Sequence, residues 1–336
     1  MNPSFPRPVR AALAGALLAT LVLALPAAAQ ETAAAWPSKL VRLVVPYPTG
    51  GLPDTLARVL AQRMGESAAM NGAQVLVENK PGAGGILGTE FVARSAPDGY
   101  TVLIADLGQT AINLALYPKL SYDTLRDFAP VSMIGTSPFF LAVHQSSGIH
   151  TVAELVAQAK AKPGQLSYGS SGPGSPHHLA METFKARTGT DILHVPYKGS
   201  GQSTPALIGG QIPMLFTVLS TVTAHVKTGT VRLVAVASPT RTPQAPDVPT
   251  FAELGVRDML FLPSVAALAP AGTPAPIVAK ISGEVARAVR HPDSLKRFES
   301  LGIDPVGNTP AEYAAQLRAD IAFYAQAVKL SGAKAE

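Results

Sequence analysis

Residues 39–63 read KLVRLVVPYPTGGLPDTLARVLAQR, and this stretch decides the fold because it predicts a buried strand, a tight turn and an amphipathic helix. Residues 40–45 are apolar with one exception, as is typical of a strand covered on both faces. Leu56, Val59 and Leu60 then repeat at the spacing of one helix face. A strand followed at once by a helix indicates an α/β fold.

The turn after this strand is the first candidate binding site. Gly50 and Gly51 let the main chain approach a ligand closely, and Asp54 or Thr55 is predicted to cap the helix. Beyond the carboxyl end of such a strand, a helix N-terminus offers unpaired N–H groups and a partial positive charge to an anion. An ordinary βα connection without a binding role is the alternative, since no phosphate-binding motif is present.

The N-terminus predicts a secretory signal peptide over residues 1–29. Basic residues precede an apolar run at 11–25, which is shorter than the roughly 20 residues of a membrane span. Ala27 and Ala29 fit the small-residue cleavage rule, so cleavage is predicted after Ala29. An uncleaved membrane anchor is the competing interpretation.

Composition excludes several classes of function. The chain has no cysteine, so neither a disulfide nor a thiolate metal site is available. The formal net charge of +5 comes without any run of Lys or Arg, which argues against nucleic acid as a partner. His177 and His178 are adjacent and would point about 100° apart on a helix, so no metal site is predicted.

The βα pattern continues after the first unit. A strand at 74–78 ends at a glycine-rich loop, 81–85, and a further strand is predicted at 100–105. Gln109 and Thr110 follow that strand and are therefore expected beside the first two loops. The alternation predicts a parallel sheet, and the glycine spacing does not match the dinucleotide fingerprint, so no cofactor is expected.

A second α/β unit repeats this design. A strand at 166–168 leads into residues 169–176, GSSGPGSP, with Ser175 as the predicted N-cap and Pro176 as the first helical residue. The hydroxyl and N–H groups of this loop suit a carboxylate without a buried cation. A helix cap and nothing more is the alternative. A serine nucleophile is less favoured because Pro173 breaks the G-x-S-x-G spacing.

Two segments are predicted to connect these units. Residues 131–143 are predicted to be one extended segment, interrupted at Pro138, that crosses between domains. Thr309 and Glu312 form a capping box for a long helix to about residue 330. This helical tail is expected to pack back on the first domain.

Six motifs in order give the chain a resemblance to a known family. They are residues 45–51 (VPYPTGG) with Asp54, 77–85 (VENKPGAGG), 96–100 (APDGY), 195–199 (VPYKG), 247–250 (DVPT) and 269–274 (APAGTP). With them the chain resembles the Bug family, the extracytoplasmic solute receptors of tripartite tricarboxylate transporters. The resemblance spans the whole mature chain.

The resemblance implies an α/β fold of the two-lobed periplasmic-binding-protein type, type II-like, with a ligand in the interlobe cleft. Lobe 1 is expected at residues 30–138 and 262–336, and lobe 2 at 139–261. The implied ligand is a small carboxylate such as a dicarboxylate, citrate, an acidic amino acid or an aromatic acid. A monomeric, non-enzymatic periplasmic receptor that delivers this ligand to membrane permease subunits is implied as well.

The candidate ligand-binding residues combine the family's contact positions with the loops located above. They are Tyr47, Pro48, Thr49, Gly50, Gly51, Asp54, Gln109 and Thr110 in lobe 1, and Ser170, Ser171, Gly172, Ser175, His178 and Thr217 in lobe 2.

The chain departs from the family pattern at several of these positions. The family more often has Phe and Ala where this chain has Tyr47 and Thr49, so these two residues are expected to influence which acid is accepted. Polar residues are usual where Pro173 and Pro176 stand. Many relatives have an acid in place of Thr217, and its absence disfavours an amino-acid ligand.

Two other functions remain open on the sequence. An exported hydrolase would use the Ser170/Ser171 loop with His178 and would turn over esters, whereas a receptor would bind stoichiometrically without product. A sensory module would carry the same ligand site but dock on a membrane kinase instead of a permease.

Overall fold

The computed structural model describes residues 35–197 and 199–334, so the predicted signal peptide lies outside the described residues. Pro37–Glu336 forms one compact unit. Within the described ranges, no helix has both the length and the apolar character needed to cross a membrane.

The strands of this unit, numbered β1 to β11 along the chain, form two sheets. The first has the order β11-β4-β10-β3-β1-β2 and the second β7-β6-β8-β5-β9. The bounds are β1 Val41–Val45, β2 Val75–Asn79, β3 Thr101–Asp106, β4 Phe128–Thr136, β5 Phe139–His144, β6 Ser167–Ser170, β7 Leu193–Pro196, β8 Met214–Val218, β9 Val231–Val236, β10 Ser264–Pro270 and β11 Asp304–Pro305.

The first sheet contains the predicted parallel strands. β1 pairs in parallel with both β2 and β3, which confirms the prediction. β10 then enters antiparallel between β3 and β4, so the sheet as a whole is mixed. Every residue of β10 is buried, because this strand lies in the interior of the sheet. The carboxyl ends of β1, β2 and β3 consequently lie side by side.

The chain crosses between the sheets at two neighbouring segments. The first is the predicted extended segment over 131–143: it forms β4 in the first sheet and β5 in the second, with the break at 137–138 where Pro138 was expected to interrupt it. The second crossing lies between β9 and β10. The two crossings touch each other: Ser137 N donates to Pro263 O at 2.8 Å and Phe139 N to Phe261 O at 3.0 Å.

Helices cover both sheets. They are Leu52–Gly65, Ile86–Ala93, Asn113–Leu116, Thr124–Asp127, Val152–Ala161, Pro176–Thr188, Ser200–Ile208, Leu219–Lys227, Ala275–Val289, Pro292–Ser300 and Pro310–Ser331, with a π-helical turn at Gly108–Ile112.

The C-terminal helix Pro310–Ser331 connects the two halves of the unit. Its capping box of Thr309 and Glu312 is formed as predicted. Tyr313 belongs to the core beside the first sheet, whereas Tyr324 belongs to the core of the second. The helix therefore packs on both halves and not only on the first.

Candidate functional site

A cleft of about 1000 Å³ lies where loops of the two sheets face each other. The first sheet lines it through the loops that follow β1, β2 and β3. The second lines it through the loops that follow β6 and β7 and through the end of β8. These are the carboxyl ends of strands, where ligands bind in open α/β sheets.

The predicted site residues divide into two groups. Those that line the cleft are Tyr47, Pro48, Thr49, Gly51, Ser171, Ser175 and Thr217. Those that are not part of the lining are Gly50, Asp54, Gln109, Thr110, Ser170, Gly172 and His178.

A network of hydrogen bonds joins the three loops of the first sheet. Tyr47 Oη donates to Asp106 Oδ1 at 3.1 Å. Gln109 Nε2 donates to Tyr47 Oη at 2.7 Å and to Gly84 O at 2.9 Å. Gln109 is only 1% exposed, so its position behind the cleft suits it to hold the loops together.

Asp106 is the one acidic side chain in the described lining of the cleft. Its Oδ1 also accepts from Gly108 N at 2.8 Å. Burial raises the pKa of Asp106 to about 6, against the hydrogen bonds from Gly108 and Tyr47 that lower it. Sequence reasoning missed Asp106, although it is the last residue of β3 and the rule that selected Gln109 applies to it equally.

Asp54 supports the first loop from inside. Its carboxylate accepts from Gly50 N at 2.9 Å, from the Arg58 guanidinium at 3.0 Å and from Asn79 Nδ2 at 2.9 Å. Asn79 Nδ2 also donates to Tyr47 O at 3.0 Å. Burial acts to raise the pKa of Asp54, but the hydrogen bonds outweigh it and keep that pKa below its ordinary value.

The predicted cap of the first helix was wrong. The helix begins at Leu52 with Gly51 as N-cap and no side-chain cap, and Asp54 lies inside the first turn. Asp54 is only 3% exposed and bonds back to the loop. The N–H groups of this helix start are therefore left without a side-chain acceptor.

In the second sheet, the buried side chains of Ser170 and His178 hold the loop that follows β6 through hydrogen bonds to its main chain. Ser170 Oγ lies 2.6 Å from His194 Nε2 and accepts from Gly172 N at 3.0 Å. His178 Nδ1 accepts from Gly174 N at 3.0 Å, and its ring stacks on His194. Both residues are buried, at 0% and 6% exposure.

Ser171, Ser175 and His177 present the polar face of this loop. Ser175 caps its helix as predicted, with His178 N donating to its Oγ at 3.3 Å. Ser171 Oγ lies 2.8 Å from His177 Nδ1, and the His177 ring packs on Phe139. Sequence reasoning missed His177, although Pro176 fixes the helix start and so places His177 in its first turn.

Apart from Asp106, the described lining of the cleft presents neutral groups and helix ends. Burial lowers the pKa of His177 to about 4, so its imidazole is neutral near pH 7. No Lys or Arg is among the described lining residues. Three helices begin beside the cleft without a side-chain cap, with Gly51, Gly199 and Val218 as their N-caps. Such helix starts attract anions.

Over the described ranges, no cluster of three or more His, Asp or Glu side chains is placed to hold a metal ion.

The fold and the cleft are those of a solute-binding protein of the two-lobed α/β type. The chain belongs to the tripartite tricarboxylate transporter receptor family, whose model matches residues 56–328. This confirms the predicted α/β fold and the family resemblance.

Individual relatives agree with this assignment. The chain is 35% identical to Protein BugT of Bordetella pertussis (strain Tohama I / ATCC BAA-589 / NCTC 13251) over 324 residues, which are 96% of this chain and 97% of that protein. R. palustris Rpa4515 with adipate matches with a TM-score of 0.77 at 33% identity, over 89% of this chain and 99% of that one. MatC from Rhodopseudomonas palustris with bound malate matches with a TM-score of 0.74 at 30% identity, over 87% and 100%.

Proposed function

We propose that this protein binds a small organic carboxylate in the cleft, in the periplasm, and delivers it as a monomer to a tripartite tricarboxylate-type membrane transporter. The observation that carries the proposal is the meeting of three helix starts without side-chain caps at one cleft. Their N–H groups suit a carboxylate in the absence of a described Lys or Arg in the lining. The adipate and malate bound by the two structural relatives support this class of ligand.

We expect the two lobes to close on the ligand, because the hydrogen-bond donors of the cleft are divided between the two sheets. Donors of both sheets are satisfied together only when one ligand bridges them, so the ligand favours the closed state by its differential affinity. We place lobe 1 at residues 30–138 and 262–336 and lobe 2 at 139–261. The paired crossings at 137–139 and 261–263 suit a hinge, because each sheet can then rotate as a body.

The lining residues are the proposed direct contacts, and we propose that the other predicted site residues support the loops. We assign contact to Tyr47, Pro48, Thr49, Gly51, Ser171, Ser175 and Thr217, and add His177 from its place in the lining. Gly50, Asp54, Gln109, Thr110, Ser170, Gly172 and His178 then act by shaping the loops.

Isothermal titration calorimetry tests the proposal. The purified protein is unfolded, dialysed and refolded to remove any carried ligand, and is then titrated with C4 to C6 dicarboxylates, citrate, acidic amino acids and aromatic acids. We expect saturable one-to-one binding of at least one carboxylate. A refolded protein with native circular dichroism that binds none of them would contradict the proposal.

A hydrolase is the second candidate, and the 2.8 Å contact between Ser171 and His177 is the observation in its favour. A neutral imidazole of such low basicity is a weak general base near pH 7, and no described carboxylate is bonded to it. The pairing expected on the sequence also differs, since Ser170 bonds to His194 and not to His178. Turnover of p-nitrophenyl esters that Ser171→Ala abolishes would favour the hydrolase.

A further inference from the structure

Building on the proposed function, we propose that Asp106 Oδ2 accepts a hydrogen bond from the ligand. The cleft therefore selects carboxylates that carry an ammonium or hydroxyl group beside the carboxylate over those that carry neither.

The two oxygens of Asp106 differ in their surroundings. Oδ1 accepts from Gly108 N at 2.8 Å and from Tyr47 Oη at 3.1 Å. Oδ2 accepts no hydrogen bond from residues 35–197 or 199–334, and Asp106 belongs to the lining of the cleft. A ligand that fills the cleft displaces water from Oδ2, so a ligand that brings a donor replaces the lost hydrogen bond, whereas one without a donor leaves the carboxylate unsatisfied.

The carboxylate is held firmly enough to discriminate between ligands. Tyr47 Oη, which donates to Oδ1, is fixed in turn by Gln109 Nε2 at 2.7 Å. A Cβ added at Gly108 would lie 2.9 Å from Asp106 Oδ1, so the main chain packs directly on the carboxylate. Rotation of the side chain away from the ligand would break these contacts.

Among the described residues, no cation interacts with Asp106. The titratable groups that interact with it are Tyr47 on the β1 loop, Tyr122 on the segment before β4 and Tyr324 on the C-terminal helix. Burial raises the pKa of all three phenols, so they stay neutral. A ligand ammonium would therefore supply Asp106 with a cation that the described residues of the first sheet do not provide.

This placement changes the expectation drawn from Thr217. The missing acid at that position disfavours an amino-acid ligand only if the second sheet must supply the acid. Asp106 supplies one from the first sheet, and both residues line the same cleft. An acidic amino acid or a hydroxy acid is therefore the preferred ligand class.

Matched ligands test the inference. Succinate, malate and aspartate differ only in carrying hydrogen, hydroxyl or ammonium on one carbon, and adipate with 2-aminoadipate repeats the comparison on a longer chain. By calorimetry at pH 7.5 we expect a substituted ligand to bind at least about tenfold more tightly than its parent. Asp106→Ala should reduce the ratio of the two affinities to near one for both substituents. Asp106→Asn should reduce it to near one for the ligands that carry an ammonium group.

A matched variant and a pH profile distinguish ligand contact from a structural role. Ser171→Ala on the opposite wall should weaken substituted and parent ligands by the same factor and leave the ratio unchanged. The affinity of the wild type for the amino ligand should fall as the pH drops below about 6, where Asp106 takes up a proton, and the profile of Asp106→Asn should be flat there.

The failure modes are separate. Parent and substituted ligands that bind equally well, or Asp106 variants that weaken both alike, would overturn this inference and leave the proposed function standing. Failure of every carboxylate to bind the folded protein would overturn both.

Discussion

The cleft has two walls, the first formed by loops of the first sheet and the second by loops of the second sheet. They differ in their hydrogen bonding and in their charge. On the first wall, one network from Tyr47 through Gln109 to Gly84 joins the loops of three strands and contains the acid Asp106. On the second wall the hydrogen bonds described above join neutral groups, as between Ser171 and His177 within one loop and between Ser170 and His194 on neighbouring strands. The first wall is therefore fixed and charged, whereas the second is a set of neutral donors. We infer that the first wall determines which ligand is preferred, whereas the second wall adds affinity for every ligand.

Removal of Asp54 should disturb the first wall most. Asp54→Ala deletes the buried acceptor for Gly50, Arg58 and Asn79, so we expect a loss of about 2–4 kcal/mol in the free energy of unfolding, measured by urea denaturation. Because the folded-state pKa of Asp54 lies below its unfolded value of about 3.9, this stabilisation is present above about pH 4 and is lost as the pH falls through the folded-state pKa.

The control for this prediction is Arg94→Ala, which removes an exposed ion pair with Glu90. It should change the free energy of unfolding by less than about 1 kcal/mol. Equal effects of the two variants would show that the first loop does not depend on its buried acid.

Asp106→Asn should stabilise the ligand-free protein. The folded-state pKa of Asp106 is raised to about 6, so its ionisation costs stability as the pH rises through that value. We expect Asn, which keeps the acceptor for Gly108, to raise the free energy of unfolding at pH 8 by about 1–3 kcal/mol and by much less at pH 4. Thermal unfolding at both pH values measures this, and a gain that is independent of pH would contradict it.

Tyr47→Phe should alter ligand preference more than stability. It removes the hydroxyl between Asp106 and Gln109 but retains the ring, so we expect the ratio of affinities for malate and succinate to change by about three- to tenfold. Thr49→Ala, on the same loop and in the lining, should shift the ratio in the same assay. Unchanged ratios in both variants would remove these residues from the account of specificity.

Ser171→Ala should have the smallest effect. The second wall offers several neutral donors, so loss of one hydroxyl should weaken every ligand by about two- to tenfold without changing their order. Ser170→Ala is the matched comparison, because Ser170 is buried and bonded to His194. A change in the order of ligands caused by Ser171→Ala would contradict the division of roles between the walls.

Local patterns made much of the fold predictable. The helix Ile86–Ala93 and the parallel pairing of β1 with β2 and β3 follow from periodicity and from the βα alternation. The antiparallel entry of β10 between β3 and β4 was not predicted, because strand pairing across a long separation in sequence has no local signal.

The loops that form the candidate site could be predicted from the sequence more readily than the individual side chains that line it. The loops after β1, β3 and β6 were located because ligands bind at the carboxyl ends of strands. Which side chains reach the cleft depends on burial: Ser171 lines it, whereas the adjacent Ser170 is 0% exposed. Asp106 and His177 reach the lining because the fold brings their loops together, which sequence spacing does not reveal.

A crystal structure of the protein with its best-binding carboxylate tests the central claim most directly. We predict a ligand that touches both walls, with carboxylate oxygens within about 3 Å of N–H groups at helix starts next to Gly51 or Gly199, and with a donor of the ligand on Asp106. A ligand held by one wall only, or bound outside the cleft, would contradict the account.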